Sequence, residues 1–245
     1  MDLYPTPLTA VKYCMIYKPL ILLGTNSNIL KLTELAARCG FIVHGIVDDD
    51  YYGAGSFKGI PVICQEQEIM TRMDHYRDLF QFICATNWVP DDYEIAQRNR
   101  DKRQWHLALL DHSGMDVAAI IAPSAIVSGT ACIGAGTVIY DYAVVEPGVT
   151  VGPHCMIYDH ATVGHDSTIG RNTVLQRYVG VTSLVDVQEN TYLGIRSSVL
   201  RSDVTLGAGT FVHPNLMLLR GTQPGETVSL AGRDLRKVYA EAEVA

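Results

Sequence analysis

Aliphatic residues recur at every sixth position from Ile121 to Val199. Four residues after each of the first thirteen of them stands a side chain no larger than valine, such as Ala125, Thr137 or Ser167. An α-helix repeats every 3.6 residues and a strand every two, so neither explains a period of six. A coil of three short, flat strands does explain it, with the aliphatic side chain on the axis and the small one at the corner. The aliphatic positions are Ile121, Val127, Ile133, Ile139, Val145, Val151, Ile157, Val163, Ile169, Leu175, Val181, Val187, Leu193 and Val199.

This period predicts a parallel β-helix built from hexapeptide repeats, in which about eighteen residues form one coil. Successive coils stack at the usual strand spacing of about 4.7–4.9 Å. After Val199 the frame slips by one residue and resumes at Leu206. We expect the chain to leave the prism near Arg220–Gly225 and to end in a short helix, up to Glu243, that caps the last coil.

The residues before the repeat alternate between strand and helix patterns. This order predicts an α/β domain with a parallel sheet, whose ligands bind at the carboxyl ends of the strands. We place the domains at residues 1–116 and 117–245 and assign no element to residues 1–17. Strands are predicted at Pro19–Gly24, Phe41–Val47, Pro61–Cys64 and Gln81–Ala85, and helices at Asn28–Arg38, Glu66–Leu79 and Pro90–Leu110.

Two strand ends carry candidate substrate-binding residues. The turn after the first strand contains Gly24, Thr25, Asn26 and Ser27 and leads into a helix, where backbone N–H groups favour an anion such as phosphate. The alternative is an ordinary strand-to-helix loop with a polar cap. Asp48 and Asp49 follow the second strand and suit the hydroxyls of ribose or a sugar, or else are solvated turn residues.

Histidine side chains are the main catalytic candidates on the prism. A β-helix fills its own interior, so its functional side chains are expected at the corners. His154, His160 and His165 lie close together in the sequence, and Asp166 directly follows His165. A carboxylate next to an imidazole orients the ring and supports general-base catalysis. The alternative for His165 is an exposed turn histidine without a role.

The amino-acid composition limits the classes of partner and the cellular compartments that we expect for this protein. Hydrophobic residues make up 48% of the chain and charged residues 18%, as expected for a well-cored globular protein. The net charge of −7 gives no basic face for nucleic acid. Six scattered cysteines indicate reduced thiols in a cytoplasmic protein, and the longest early apolar run, Leu20–Leu23, is too short for membrane insertion.

Several motifs occur in the order found in one known family. They are Gly59-Ile60-Pro61-Val62, Pro123-Ser124-Ala125, Val163-Gly164-His165-Asp166-Ser167-Thr168-Ile169-Gly170, Tyr192-Leu193-Gly194-Ile195 and Gly232-Arg233. From Pro19 onward the chain resembles the bacterial sugar acetyltransferases of the PglD/NeuD type. The resemblance implies a Rossmann-like domain that binds a nucleotide-linked sugar. It also adds Gly59 to the candidate substrate-binding residues at the two strand ends. It also implies a left-handed β-helix that forms a homotrimer and binds acetyl-CoA between neighbouring prisms.

The resemblance further implies that His165 acts as general base, that Asp166 supports it, and that no metal takes part. The implied acetyl-CoA contacts are Val174, Ser183, Gly194, Ile195 and Pro214. Three of these positions depart from the family pattern: a second histidine is replaced by Val174, a glycine by Ser183, and a glycine-rich run by His213-Pro214-Asn215. An asparagine seven residues before the base is replaced by Tyr158. The residues do not distinguish N- from O-acetylation or identify the sugar and its nucleotide.

Two other functions remain open from the sequence. A metal hydratase like the γ-type carbonic anhydrases would use His160 and His165, but its third histidine position holds Ser124. A non-catalytic relative, kept for binding or assembly, would fit the replaced cofactor residues.

Overall fold

The N-terminal part of the chain is a six-stranded sheet flanked by helices. The computed structural model describes residues 18–86 and 93–229. The strands lie in the order β3-β4-β2-β1-β5-β6, and every pairing is parallel except that of β3 with β4. The elements are β1 Leu20–Leu23, α1 Ile29–Arg38, β2 Val43–Val47, a 3₁₀ turn Tyr52–Ala54, β3 Ser56–Phe57, β4 Ile60–Cys64, α2 Glu66–Thr71, α3 Met73–Leu79, β5 Gln81–Cys84, α4 Tyr93–His112 and β6 Asp116–Val117.

The predicted α/β alternation is confirmed, with two differences. The predicted helix Glu66–Leu79 is two helices, because Arg72 leaves the helical region at φ −115° and ψ 25° and separates α2 from α3. The antiparallel hairpin of β3 and β4 was not expected. The start of the helix predicted at Pro90 lies outside the described residues, and α4 extends two residues past the predicted Leu110.

The rest of the described chain is a three-sided left-handed β-helix. Face 1 contains β7 Ile120–Ile121, β10 Val138–Ile139, β13 Met156–Ile157, β16 Val174–Leu175, β19 Tyr192–Leu193, β22 Phe211–Val212 and β24 Thr227–Val228. Face 2 contains β8 Ile126–Val127, β11 Val144–Val145, β14 Thr162–Val163, β17 Gly180–Val181, β20 Ser198–Val199 and β23 Met217–Leu218. Face 3 contains β9 Cys132–Ile133, β12 Thr150–Val151, β15 Thr168–Ile169, β18 Asp186–Val187 and β21 Thr205–Leu206.

Strand pairing confirms the repeat and its slip. Val145 pairs with Val163 one coil on, whereas Val187 pairs with Leu206, one residue further along. The predicted exit near Arg220–Gly225 is wrong, because β24 adds another strand to face 1 and pairs with β22. The aliphatic pattern does not show this coil because an inward position in it is a threonine. Thr222 bridges to Leu206, and its hydroxyl lies 2.7 Å from that of Thr210 inside the prism. The predicted cap helix lies outside the described residues.

The three corners of the prism turn through the left-handed region of the backbone. Non-glycine residues enter this region uncommonly, and asparagine, aspartate and histidine do so most easily. Corner 1–2, between faces 1 and 2, holds Tyr142, His160, Tyr178 and Arg196 with φ of 58–61°. Corner 2–3 holds Gly148, Asp166, Leu184 and Asp203, and corner 3–1 holds Gly136, His154, Asn172 and Asn190.

The N-terminal domain covers face 1 and leaves corner 2–3 on the opposite side of the prism. Leu32 and Leu35 of α1 belong to one buried cluster with Tyr140 and Tyr158 of face 1. Polar contacts flank this apolar interface: Lys31 pairs with Asp159, and Arg38 donates two hydrogen bonds, 2.8 and 2.7 Å long, to the Asp141 carboxylate. The Arg38 hydrogen bonds lower the pKa of Asp141 to about 2.

Candidate active site

The side chains of His165 and Asp166 form a pair on corner 2–3. Nδ1 of His165 lies 2.9 Å from Oδ2 of Asp166, and the two side chains are 52% and 60% exposed. Adjacent side chains in a strand point to opposite faces. They meet here because Asp166 takes up the left-handed conformation, with φ of 57°.

The preceding coil gives the pair its place. The backbone N–H of Asp166 donates to the carbonyl oxygen of Pro147 at 3.0 Å. Gly148, with φ of +74°, leaves the space that the Asp166 carboxylate occupies, since a Cβ at this position would lie 2.2 Å from Oδ1 of Asp166. The pair therefore depends on a glycine eighteen residues before the aspartate.

The arrangement of the pair suits proton abstraction. The carboxylate of Asp166 accepts a hydrogen bond only from a protonated Nδ1, so the neutral ring carries its lone pair on Nε2. Nε2 then faces outward as a base, and the carboxylate stabilises the imidazolium formed when a proton arrives.

The five residues predicted to contact acetyl-CoA do not converge within one chain. Gly194, Ile195 and Pro214 lie on corner 1–2, where the Gly194 backbone packs against Pro214 and the other two residues are exposed. Ser183 lies on corner 2–3, directly after His165 in the column of stacked coils. Val174 is completely buried in the cluster between face 1 and the N-terminal domain, so it offers no surface to a ligand.

The predicted substrate residues are largely brought together at the carboxyl ends of β1 and β2. Gly24 has φ of +77°, and the Thr25 hydroxyl donates to Asp48 at 3.0 Å. The side chain of Asn26 bridges to the carbonyl of Ala85 and accepts the N–H of Asn28 at 2.6 Å. Ser27 is held through its carbonyl, which accepts a hydrogen bond from Lys58 at 2.6 Å.

Asp49 and Gly59 lie slightly apart from this group. Asp49 accepts the N–H of Glu66 at 2.8 Å and so serves as a cap for α2. Gly59 lies in the turn between β3 and β4, with φ of +81° and open space around it. Lys58, the residue before it, provides the link to Ser27.

Sequence reasoning missed a group of charged and polar side chains at these strand ends, which we call the strand-end cluster. It consists of Asp48, Glu66, Thr86, Lys102 and His106. Lys102 lies 3.2 Å from Asp48 and 3.3 Å from Glu66, and His106 contacts Glu66 at 3.1 Å and Thr86 at 2.8 Å. The available signal was the four-residue spacing of Lys102 and His106, which puts both on one face of α4.

The surroundings of His106 raise the pKa of its ring. Burial alone would lower the pKa of His106, but hydrogen bonds to Cys84 and Glu66 outweigh burial and raise it to about 9. The ring also lies beside the Gly24 turn, since a Cβ on Gly24 would be 2.9 Å from Cε1 of His106. His106 therefore lies beside the turn predicted to hold an anion, and both His106 and Lys102 are paired with carboxylates, Lys102 also with Asp50 at 2.9 Å.

The geometry does not favour the metal hydratase. His160 lies on corner 1–2, stacked between Tyr142 at 5.1 Å and Tyr178 at 4.8 Å, whereas His165 lies on corner 2–3. Within residues 18–86 and 93–229, no three histidine, cysteine or carboxylate side chains converge as metal ligands. None of the helices in these ranges has the length and apolar character needed to cross a membrane.

Comparisons with known proteins agree with this architecture. The family model "Bacterial transferase hexapeptide (six repeats)" matches residues 130–165, which include His165. A search of the curated proteins gives no match. Since the family model spans a small part of the chain, solved structures supply the wider comparison.

Three solved structures illustrate the similarity. The acetyltransferase domain of PglB from Neisseria gonorrhoeae is 23% identical, with a TM-score of 0.58 over 86% of this chain and 96% of that one. WeeI from Acinetobacter baumannii is 14% identical, with a TM-score of 0.67 over 86% and 95%. A histidine-to-alanine variant of GDP-perosamine N-acetyltransferase from Caulobacter crescentus, in complex with CoA and GDP-perosamine, is 22% identical, with a TM-score of 0.51 over 85% and 92%.

At these identities the similarity establishes the fold, in which an α/β domain precedes a left-handed β-helix. The chain thus shares the fold of the PglB acetyltransferase domain and of the GDP-perosamine N-acetyltransferase, and residues 130–165 carry the repeat of the bacterial hexapeptide transferases.

Proposed function

We propose that this chain is an acetyltransferase that transfers acetyl from acetyl-CoA to an amine, or a hydroxyl, of a nucleotide-linked sugar. The observation that carries the proposal is the His165–Asp166 pair, whose ring leaves Nε2 exposed on a corner of the prism. Two similar structures add support, because one is described as an acetyltransferase domain and another as an N-acetyltransferase in complex with CoA and GDP-perosamine.

The reaction needs two proton transfers, one to the His165 ring and one from it. Acetyl-CoA supplies an activated acyl group as a thioester. Nε2 of His165 takes a proton from the acceptor amine or hydroxyl as the new bond to the acetyl carbon forms. Asp166 stabilises the resulting imidazolium, and the ring returns the proton to the thiolate released when the carbon–sulfur bond breaks. General-base help of this kind contributes about 10²–10⁴-fold to the rate.

The edge next to His165 suits the methyl and methylene groups of the pantetheine arm of acetyl-CoA. Leu184 follows on corner 2–3 in the next coil and is 45% exposed, and Leu200 beyond it is 51% exposed. Exposed leucines on successive coils offer apolar surface beside the base, and Ser183 follows His165 in the column of stacked coils. We therefore retain Ser183 as a cofactor contact and leave out the buried Val174.

A homotrimer would complete the site. His165 lies on corner 2–3, whereas Gly194, Ile195 and Pro214 lie on corner 1–2, so two copies that contribute different corners would bring both sets to one ligand. Face 1 also separates the N-terminal domain from corner 2–3, so a sugar held by one chain would meet the base of its neighbour. We accordingly propose sites between subunits. The five cysteines in the described residues are free thiols, which suits a cytoplasmic protein.

The strand-end cluster supports binding of the nucleotide-linked part of the substrate. His106, whose pKa is raised, lies beside the Gly24 turn, which leads into the start of α1, where phosphate is favoured. Asp48 is completely buried, and its carboxylate accepts from the Thr25 hydroxyl and the N–H of Asp50. We propose Gly24, Thr25, Asn26, Ser27, Asp49 and Gly59 as the substrate-binding region, with the buried Asp48 holding the Thr25 side of the turn in place.

The test is acetyl transfer to a panel of UDP-, GDP- and dTDP-linked amino sugars. Mass spectrometry of the sugar is the suitable readout, because the exposed thiol of Cys132 would interfere with thiol reagents. We expect one sugar to gain one acetyl group, and a ligand at a hundred times its Kd to stabilise the fold by about 2.7 kcal/mol. Stabilisation without product would favour the non-catalytic relative. If the panel gives no product and no stabilisation, the proposal is contradicted.

Gly148 provides a prediction about the Asp166 carboxylate. We expect Gly148→Ala to lower kcat by about 10–100-fold, because the new Cβ displaces the carboxylate from His165 and small misplacements of catalytic groups are costly. Gly225→Ala is the matched control, since Gly225 has a similar φ of +71° but open space around it. Both variants should lose about 1 kcal/mol of unfolding free energy. Equal activity in the two variants would exclude the steric explanation.

A further inference from the structure

The carboxylate of Glu146 forms a hydrogen bond to the backbone of the catalytic histidine. Its Oε2 accepts the N–H of His165 at 2.8 Å, across one coil of the prism and nineteen residues of sequence. Glu146 directly follows strand β11 on face 2 and leads into the same corner, one coil before His165. It is thus the side chain that links the coil before the pair to the backbone of the pair itself.

This hydrogen bond gives the backbone N–H of His165 an acceptor that the strand pairing of the β-helix does not provide. The N–H groups on either side of His165 are bonded to neighbouring coils, that of Gly164 to Val181 at 2.8 Å and that of Asp166 to Pro147 at 3.0 Å. The N–H of His165 has no backbone acceptor among the described residues. With Glu146, all three successive N–H groups of this corner are fixed.

A hydrogen bond of the same kind, from a corner N–H to a side chain of the preceding coil, occurs at a second corner away from the His165–Asp166 pair. Oε1 of Gln188 accepts the N–H of Ala208 at 3.1 Å. Glu146 and Gln188 both directly follow a strand of the prism, and Ala208 occupies the position after a strand that His165 occupies on its own coil. A neutral amide therefore suffices to hold a corner backbone, so the hydrogen bond rather than the negative charge is the common element.

We propose that Glu146 is a positioning residue for the His165–Asp166 pair. The ring of His165 is half exposed, and within the described residues its one side-chain hydrogen bond is to Asp166. Asp166 reaches the ring only because the backbone turns at φ of 57°. Fixing the His165 N–H fixes that turn, which keeps Nδ1 protonated toward Asp166 and Nε2 free to accept the proton. The inference rests on the proposed function for its effect on rate.

The experiment compares Glu146→Ala, Glu146→Gln and Gln188→Ala with the native protein. We expect Glu146→Ala to lower kcat by about 10–100-fold with the KM for acetyl-CoA changed less than about twofold. Glu146→Gln keeps an acceptor oxygen and should remain within about threefold of the native kcat. Gln188→Ala removes the equivalent bond at a distant corner, so it should match the thermal destabilisation of Glu146→Ala and keep native activity.

A second readout does not depend on turnover. Nitrogen chemical shifts of the His165 ring report which nitrogen carries the proton. We expect protonated Nδ1 in the native protein and Glu146→Gln, and a mixture of tautomers in Glu146→Ala. The same tautomer in all three, or a Glu146→Gln as impaired as Glu146→Ala, would overturn the positioning role. If the native protein transfers no acetyl group, the proposed function fails, and the ring nitrogens still decide the role of Glu146.

Discussion

We expect the replacement of His165 with alanine to remove nearly all of the proposed acetyl transfer and to leave the prism folded. The expected loss in kcat is about 10²–10⁴-fold, the contribution of a positioned general base. Folding is spared because the ring is half exposed on a corner and fills no space in the prism. The measurement is single-turnover acetyl transfer to the best acceptor, with circular dichroism and thermal unfolding of both proteins.

His160→Ala is the matched control for this experiment. It removes a second histidine that also occupies a prism corner, but His160 stacks between Tyr142 and Tyr178 on corner 1–2. We expect native activity with a small loss of stability. A His165→Ala protein with activity within about threefold of native would show that another group takes the proton.

The prism was predictable because each coil repeats the same packing problem. Most axial positions hold an aliphatic side chain, so Ile139, Ile157 and Leu175 recur in one frame, and all are completely buried. The prediction was wrong about the end of the prism, where Thr222 fills an inward position and satisfies its hydroxyl by pairing with Thr210. Periodicity detects apolar burial and does not detect polar groups that are buried in pairs.

The candidate site was predictable in part. His165 and Asp166 are adjacent in the sequence, so their pairing needs only a suitable turn. The strand-end cluster escaped prediction because it joins Asp48, Glu66 and Thr86, which follow separate strands, to Lys102 and His106 on α4. Lys102 on this helix is mostly buried and ion-paired to Asp48 and Glu66. Contacts of this kind depend on how the helix packs, which spacing along the chain does not encode.

Arg103 is the clearest case of a residue whose role only the fold reveals. Its side chain is 1% exposed at the junction of α4, β5 and corner 3–1. Nε donates to Oδ1 of Asn172 at 2.7 Å, Nη2 to the carbonyl of His154 at 2.8 Å, and Nη1 to the carbonyl of Thr86. One guanidinium thus connects the N-terminal sheet to two coils of the prism. It also lowers the pKa of the Cys84 thiol, which burial alone would raise.

Arg103→Met is therefore expected to destabilise the protein by about 3–5 kcal/mol, since it removes every donor and leaves buried acceptors unsatisfied. The measurement is urea unfolding followed by tryptophan fluorescence, which reports the α4 region through Trp105, next to Arg103 in sequence. Arg72→Ala is the control, because Arg72 is 61% exposed and its pair with Glu68 contributes less than about 1 kcal/mol. Arg103→Lys keeps the charge but cannot reach three acceptors with a planar fork, so it should recover only part of the loss. If Arg103→Met were no more destabilising than Arg72→Ala, the two domains would be held together by the apolar packing of α1 on face 1, and the arginine would be dispensable.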